Sequence, residues 1–192
     1  MAESLVYRVR GRGTFATPFQ RQGAYVRTGE TVDDLLSTRQ ETVIEVVRAF
    51  EVRSEPEGAA RLELPTDEVS VGLVRRVHEG APFSVSTVML PPELAERIER
   101  AGLLPQEGEY AQETMLERVE RVHGVPVAGA EQTITAVSLP ADLAALIDCE
   151  PGSPAVCFDR LFFDRDGRKV ELARTLSNPE RYVYRLELRR SG

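Results

Sequence analysis

The chain contains no apolar run approaching the roughly 18 residues that a membrane-spanning helix requires, and this excludes a helical membrane protein. Cysteine is scarce: only Cys149 and Cys157 could pair. The N-terminal stretch has no apolar core followed by small residues, as a secretory signal would. A disulfide scaffold is therefore disfavoured, and a reducing cytoplasm is the expected location. One cysteine ends a helix pattern and the other lies in a strand pattern, so both read as small core residues. Catalytic groupings are missing as well. No Ser-His-Asp or Cys-His arrangement can be assembled, no phosphate loop is present, and no His, Cys and carboxylate cluster has metal spacing. No enzyme, cofactor or metal is expected. Internal repeats and low-complexity segments are also lacking.

What is present is an ordinary globular composition, 42% hydrophobic and 29% charged over 192 residues, enough for one good core. The net charge is −7, but it is unevenly spread. Residues 1–27 hold Arg8, Arg10, Arg12, Arg21 and Arg27 against Glu3 alone, a balance of +4, so the remainder carries −11. A nucleic-acid surface spread over the whole molecule is disfavoured, and the basic head and acidic body read as parts with different tasks.

In the head, Leu5-Val6-Tyr7-Arg8-Val9-Arg10 alternates apolar and polar residues, Gly11-Arg12-Gly13 turns, and Thr14-Phe15-Ala16 returns. This is a hairpin, too small to be stable without something packed against it. Residues 17–30 read as a linker, with Pro18, Gly23 and Gly29 and no steady periodicity. The main domain is expected over 31–192, starting with a helical piece at 32–36 and a β-branched strand at 42–52. Leu73 to His78 and Pro82 to Leu90 flank Glu79-Gly80-Ala81 and predict a hairpin. Helices follow at 93–101, before Gly102, and at 113–123, before Gly124. Strands are expected at 127–137, 154–163 and 170–176. Between the first two, Ser138 would cap a helix over 141–147, and the Asp164 to Gly167 turn separates the last two. Over Arg181 to Leu188 apolar and charged residues alternate, a half-buried strand. Antiparallel hairpins with helices laid between them make the body α+β, with a sheet covered by helices on one side.

The head, from Leu5 to Phe15, resembles the wing of the winged helix-turn-helix domain in the GntR family of transcription regulators. The body resembles the effector-binding UTRA domain of that family's HutC subfamily, whose fold is like that of chorismate lyase. Four stretches carry the second resemblance: Arg76-Val77-His78-Glu79-Gly80-Ala81-Pro82 leading to Leu90-Pro91; Ala130 to Ala136; Asp159-Arg160 through Asp166-Gly167 to Val170-Glu171; and Glu180-Arg181-Tyr182-Val183-Tyr184.

The resemblance implies residues 1–16 as a wing remnant, with Arg8, Arg10, Gly11, Arg12 and Gly13 approaching DNA. The helices that would precede Leu5 are absent, so phosphate attraction without base readout is expected. For residues 31–192 it implies a pocket on one sheet face for a small metabolite, such as a sugar phosphate, amino acid or related anion. It also implies a homodimer and allosteric control of DNA affinity. Arg76 matches an anion-binding arginine, Glu131 and Thr133 lie on a strand assigned to the pocket, and Glu171 matches a carboxylate that holds ligand hydroxyl or amino groups. His78 stands where the family often has a second arginine, and Ser86 where it often has a glutamate, which weakens the case for phosphate selectivity. Arg160 is in phase with Val156, Phe158 and Phe162, which puts a cation on the packed face beside a pocket or a structural partner. For Glu131 and Glu171 the plain alternative is a salt bridge with Arg160 or Arg174. His123 is assigned no role beyond the helix dipole. Two other functions remain open, a chorismate lyase-like enzyme and a pure dimerisation module.

Overall fold

In the computed structural model of the chain, the described residues are 6–9, 13–16, 25–28, 42–124 and 126–185, with side chains described in the last two ranges. Arg10, Gly11 and Arg12 of the wing tip, the helical piece at 32–36, and Leu186 and Leu188 lie outside them. In the head, β1 (Val6–Val9) and β2 (Gly13–Ala16) pair antiparallel in the register Val6↔Ala16 to Val9↔Gly13, so the expected hairpin is formed.

The body is one antiparallel sheet of seven strands. Its members are β4 (Thr42–Ser54), β5 (Glu68–His78), β6 (Ala81–Leu90), β7 (Tyr110–Ala111), β8 (Gly129–Ser138), β9 (Pro154–Phe163) and β10 (Lys169–Ser177), in the spatial order β7-β4-β5-β6-β10-β9-β8. The β5–β6 connection is a two-residue loop, since His78 pairs with Ala81. Glu79 and Gly80 both take positive φ, 50° and 80°, as a type I′ turn requires to match the twist of the strands.

Among the described residues four helical segments cover this sheet: α1 (Pro56–Arg61), α2 (Pro92–Arg100), α3 (Met115–His123) and α4 (Ala141–Ala144), the last running into a 3₁₀ turn at Ala145–Ile147. They lie on both faces, not one as expected. Side chains alternate along a strand, so Val88 and Leu90 of β6 meet Leu94, Ile98, Leu116 and Val119 of α2 and α3. Val85, facing the other way, meets Ala144 and Ile147. Val69 and Val71 of β5 meet Ala59 of α1 and Leu62 just after it on that second face. The physical reason is that β6, β9 and β10 carry buried apolar side chains at both odd and even positions, and both surfaces must leave water.

Two further expectations are corrected. The span 17–30 is not linker throughout: β3 (Tyr25–Thr28) pairs parallel with β11 (Tyr182–Arg185), from Tyr182↔Tyr25 to Arg185↔Thr28. Aromatic and β-branched residues there favour extended pairing over loop. Ser138 does not cap the helix that follows it; α4 begins after Pro140, without a side-chain cap hydrogen bond. The α1 helix was not foreseen. Proline at its first position fixes a helical φ where no N–H partner is needed.

Candidate functional site

Residues paired across an antiparallel ladder project from the same face, so register alone assembles the site's floor. Arg76, Ser84 and Ser177 form one row, and Val74, Ser86, Thr175 and Phe158 the next. Val88, Ala173 and Arg160 form a third. After a register shift in β10, Glu171 stands opposite Phe162. Small residues on the central strands β6 and β10 leave a hollow between the larger ones. It is roofed by the segment before α3 and by that helix's first turns, through Pro105, Thr114, Met115 and Leu116. The cavity so enclosed measures about 110 Å³.

The roof is held by two local devices. Thr114 caps α3: its Oγ1 accepts from the Glu117 N–H, and the Glu117 carboxylate accepts from the Thr114 N–H at 2.6 Å. Arg118, buried at the cavity wall, donates to the Leu103 carbonyl at 2.7 Å and to Glu109 at 3.0 Å, and lies 3.4 Å from Glu113. The 103–113 segment is thereby tied to the helix. Farther along α3, His123 Nε2 lies 3.0 Å from Asp164 Oδ2, and that hydrogen bond holds the Asp164 carboxyl below its ordinary range. This clip joins the end of α3 to the β9–β10 turn, a structural task beyond the dipole role first assigned to His123.

The polar groups of the cavity fall into two sets. Four hydroxyls, Ser84, Ser86, Thr175 and Ser177, form a patch on the floor, with Ser86 and Thr175 2.8 Å apart. Around them stand Arg76, Arg160 and Glu171. Arg76 Nη1 donates to Thr42 Oγ1 at 3.2 Å. Arg160 Nε donates to Gln132 Oε1 at 2.6 Å, and its guanidinium lies 4.9 Å from the centre of the Phe158 ring. Glu171 is 5% exposed, and its Oε2, like Ser177 Oγ, is buried without a hydrogen-bond partner. Burial pushes the Glu171 carboxyl up to about 8, against the opposing charges of Arg160 and Arg76. Both cations therefore act on one buried, readily protonated acid.

Of the residues expected at the site, Arg76, Ser86, Arg160 and Glu171 line the cavity. Glu131 and Thr133 do not. Glu131 pairs with Leu161 and Thr133 with Asp159, both on the α1 face, so the alternation of β8 turns them away from the cavity. Glu131 instead adds its field to Arg61, which pairs with Asp159 on that face. His78 shares Arg76's face but sits at the hairpin end opposite Ala81, beyond the cavity wall. Ser84, Thr175 and Ser177 were missed, along with the aromatic walls Phe158, Phe162 and Tyr182. The available signal was the spacing of two between Ser84 and Ser86 and between Thr175 and Ser177, hydroxyls on the same face as buried apolar residues.

An α+β domain with helices on both faces of a curled sheet, enclosing a charged and hydroxylated cavity, is a ligand-binding module. Comparison with known proteins identifies it further. The model of the UTRA domain matches residues 37–183, and the chain belongs to that family, the effector domain of GntR-type transcription regulators. The HTH-type transcriptional regulator Rv0792c of Mycobacterium tuberculosis is 29% identical over 182 residues, which is 90% of this chain and 66% of that protein. The effector domain of PhnF from Mycobacterium smegmatis has the same fold, with a TM-score of 0.70 at 16% identity, covering 86% of this chain and 100% of that one. So does a GntR-family transcriptional regulator from Enterococcus faecalis, with a TM-score of 0.63 at 17% identity, covering 76% of this chain and 99% of that one. The UTRA domain and the α+β fold class expected from the sequence are thus shown.

Proposed function

We propose that this chain senses a small anionic metabolite in the cavity bounded by Arg76, Arg160 and Glu171. In this reading the chain works as a cytoplasmic homodimer of the HutC subfamily and does no catalysis. The bound guest favours one arrangement of the roof and of residues 17–30, and the pair carries that preference to two winged helix-turn-helix domains to which residues 1–16 contribute the wing. The relatives' role as transcription regulators supports the setting. The observation that carries the binding claim is the pair of buried, unpaired polar atoms, Glu171 Oε2 and Ser177 Oγ. Buried polar atoms are normally satisfied, and an unpaired one costs about 1–3 kcal/mol. Atoms of this kind facing a cavity are suited to pairing with a guest.

A thermal-shift screen over phosphorylated sugars, amino acids and organic acids tests this directly. A true guest stabilises the protein by RT ln(1 + [L]/Kd), roughly 2.7 kcal/mol at a hundredfold excess over Kd. Arg76→Ala and Glu171→Ala should remove the shift while leaving cooperative unfolding intact. Persistence of the full shift in both variants would place the guest elsewhere. Crosslinking at micromolar concentration should trap dimers, and monomers alone would overturn the homodimer.

A further inference from the structure

The polar side chains that line the roof, Glu113, Thr114 and Arg118, are engaged in the Arg118–Glu113 and Thr114–Glu117 contacts, so the polar groups set around the guest space are mainly those of the floor, and this restricts the chemistry of the guest. On the floor lie the four hydroxyls and the two guanidiniums. Toward the roof and rim lie Ile44, Val46, Met115 and Leu116, with the Phe158 and Phe162 rings at the side. A phosphorylated sugar carries hydroxyls around its whole ring, and those turned toward Ile44, Val46 and Leu116 would meet only hydrocarbon. Each hydroxyl left unpaired there costs about 1–3 kcal/mol, so a polyol is opposed by the wall that encloses it.

The anion pole is also unlike a phosphate cradle. Phosphate is commonly held by free backbone N–H groups at a helix N-terminus. The N-terminus that reaches this cavity belongs to α3, and it already holds an anion of its own, the Glu117 carboxylate bonded to the Thr114 N–H. What remains is guanidinium. Arg76 and Arg160 approach from β5 and β9, and Glu171 offers an acid oxygen that needs a partner. A flat carboxylate can satisfy both its oxygens in the plane of the guanidinium fork, whereas a tetrahedral phosphoryl dianion presents three terminal oxygens that need donors on more than one side.

We propose that the guest is a small carboxylic acid with a ring or branched hydrocarbon body, its carboxylate set against Arg76 and Arg160 and its apolar side against the Phe158 and Phe162 rings and the α3 roof. This rests on the sensing role proposed above and narrows it. The Glu171 acid and Ser177 hydroxyl are placed to pair with the carboxylate or with a polar substituent beside it. A guest of this shape leaves no polar group facing the hydrocarbon wall.

The experiment is calorimetry and thermal unfolding of the full chain with benzoate, phenylacetate and isovalerate. Benzamide serves as the uncharged counterpart, and glucose 6-phosphate and inorganic phosphate as the phosphate arm. At least one acid should raise Tm saturably, benzamide should not, and Arg76→Gln should weaken that acid tenfold or more. Arg160 is buried and its replacement can disturb folding, so Thr175→Val serves as the second variant. It removes a floor hydroxyl at nearly constant volume and should change affinity while unfolding remains cooperative. A shift with glucose 6-phosphate and none with the acids overturns the carboxylic-acid class but leaves the sensor standing. Silence of every probe overturns both. Equal shifts with benzoate and benzamide overturn the anion pole alone, and with it the proposal.

Discussion

Glu171 illustrates how one residue can link ligand chemistry to stability. Its carboxyl ionises near 4.5 when the chain is unfolded and near about 8 in the folded protein, because burial disfavours the charge more than Arg160 and Arg76 favour it. A raised folded-state value means that the folded protein holds a proton through a window in which the unfolded chain has lost it. This contribution to stability is fully present below the ordinary value and is lost as pH rises to about 8, after which it stays constant. In Glu171→Gln the contribution disappears. The Tm of the variant relative to the parent should therefore climb from about pH 5 to about pH 8 and then level off. A difference that stays flat across that range would mean that Glu171 is already ionised in the cavity. The same titration affects binding: once Glu171 is charged, an anionic guest meets a carboxylate beside its two arginines, so affinity should fall on the alkaline side.

At the level of elements, the hairpin of β5 and β6 shows both how far the sequence could be read and where reading stopped. Apolar alternation on either side of Glu79-Gly80 marked the hairpin, and the glycines after α2 and α3 marked their ends, both with positive φ, 68° at Gly102 and 74° at Gly124. These are local rules, in which the residue type itself sets the backbone. What could not be read was anything decided by the partner strand. The turning of Glu131 and Thr133 away from the cavity depends on the β8–β9 register, and the hydroxyl patch appears only when β6 and β10, distant in sequence, are laid side by side. The parallel β3–β11 pair joins segments still farther apart. The four-stretch family resemblance pointed to Arg76 and Glu171, and both line the cavity because their placement follows the hairpin and the β9–β10 turn, which are local. The turn also contains a testable imperfection. Glu79 holds φ at 50°, a left-handed conformation that costs a residue with a Cβ about 1 kcal/mol or more, and Asn or Gly suits the first position of a type I′ turn better. Glu79→Gly and Glu79→Asn should each raise stability, by up to about 1 kcal/mol, measured by denaturant unfolding with unchanged m. A loss of stability in both would show that the Glu79 side chain makes a contact worth more than the strain.

Over the whole chain, charge divides along the lines of the proposed function, with DNA attraction in the head and metabolite sensing in the body. Residues 1–27 carry +4 and the rest −11. The acidic body repels a phosphate backbone, and within a Debye length of about 10 Å at 0.1 M salt only the head experiences a favourable field. Among the described residues of the head, the β1–β2 hairpin is strand only, and base readout by winged helices depends on a helix placed in the major groove. A polypeptide of these 192 residues should therefore bind duplex DNA weakly and without regard to sequence. Each phosphate neutralised contributes a slope of about −0.9 to log K against log salt. With at most the five arginines of residues 1–27 engaged, binding detectable by fluorescence anisotropy at low salt should vanish as salt approaches physiological strength. Replacing Arg8 and Arg10 together should flatten the slope by about two units and leave ligand binding in the body untouched, because the described residues that line that cavity all belong to the body. Tight, sequence-selective binding by this polypeptide would mean that the hairpin reads bases on its own, and the division of labour between head and body would then fail.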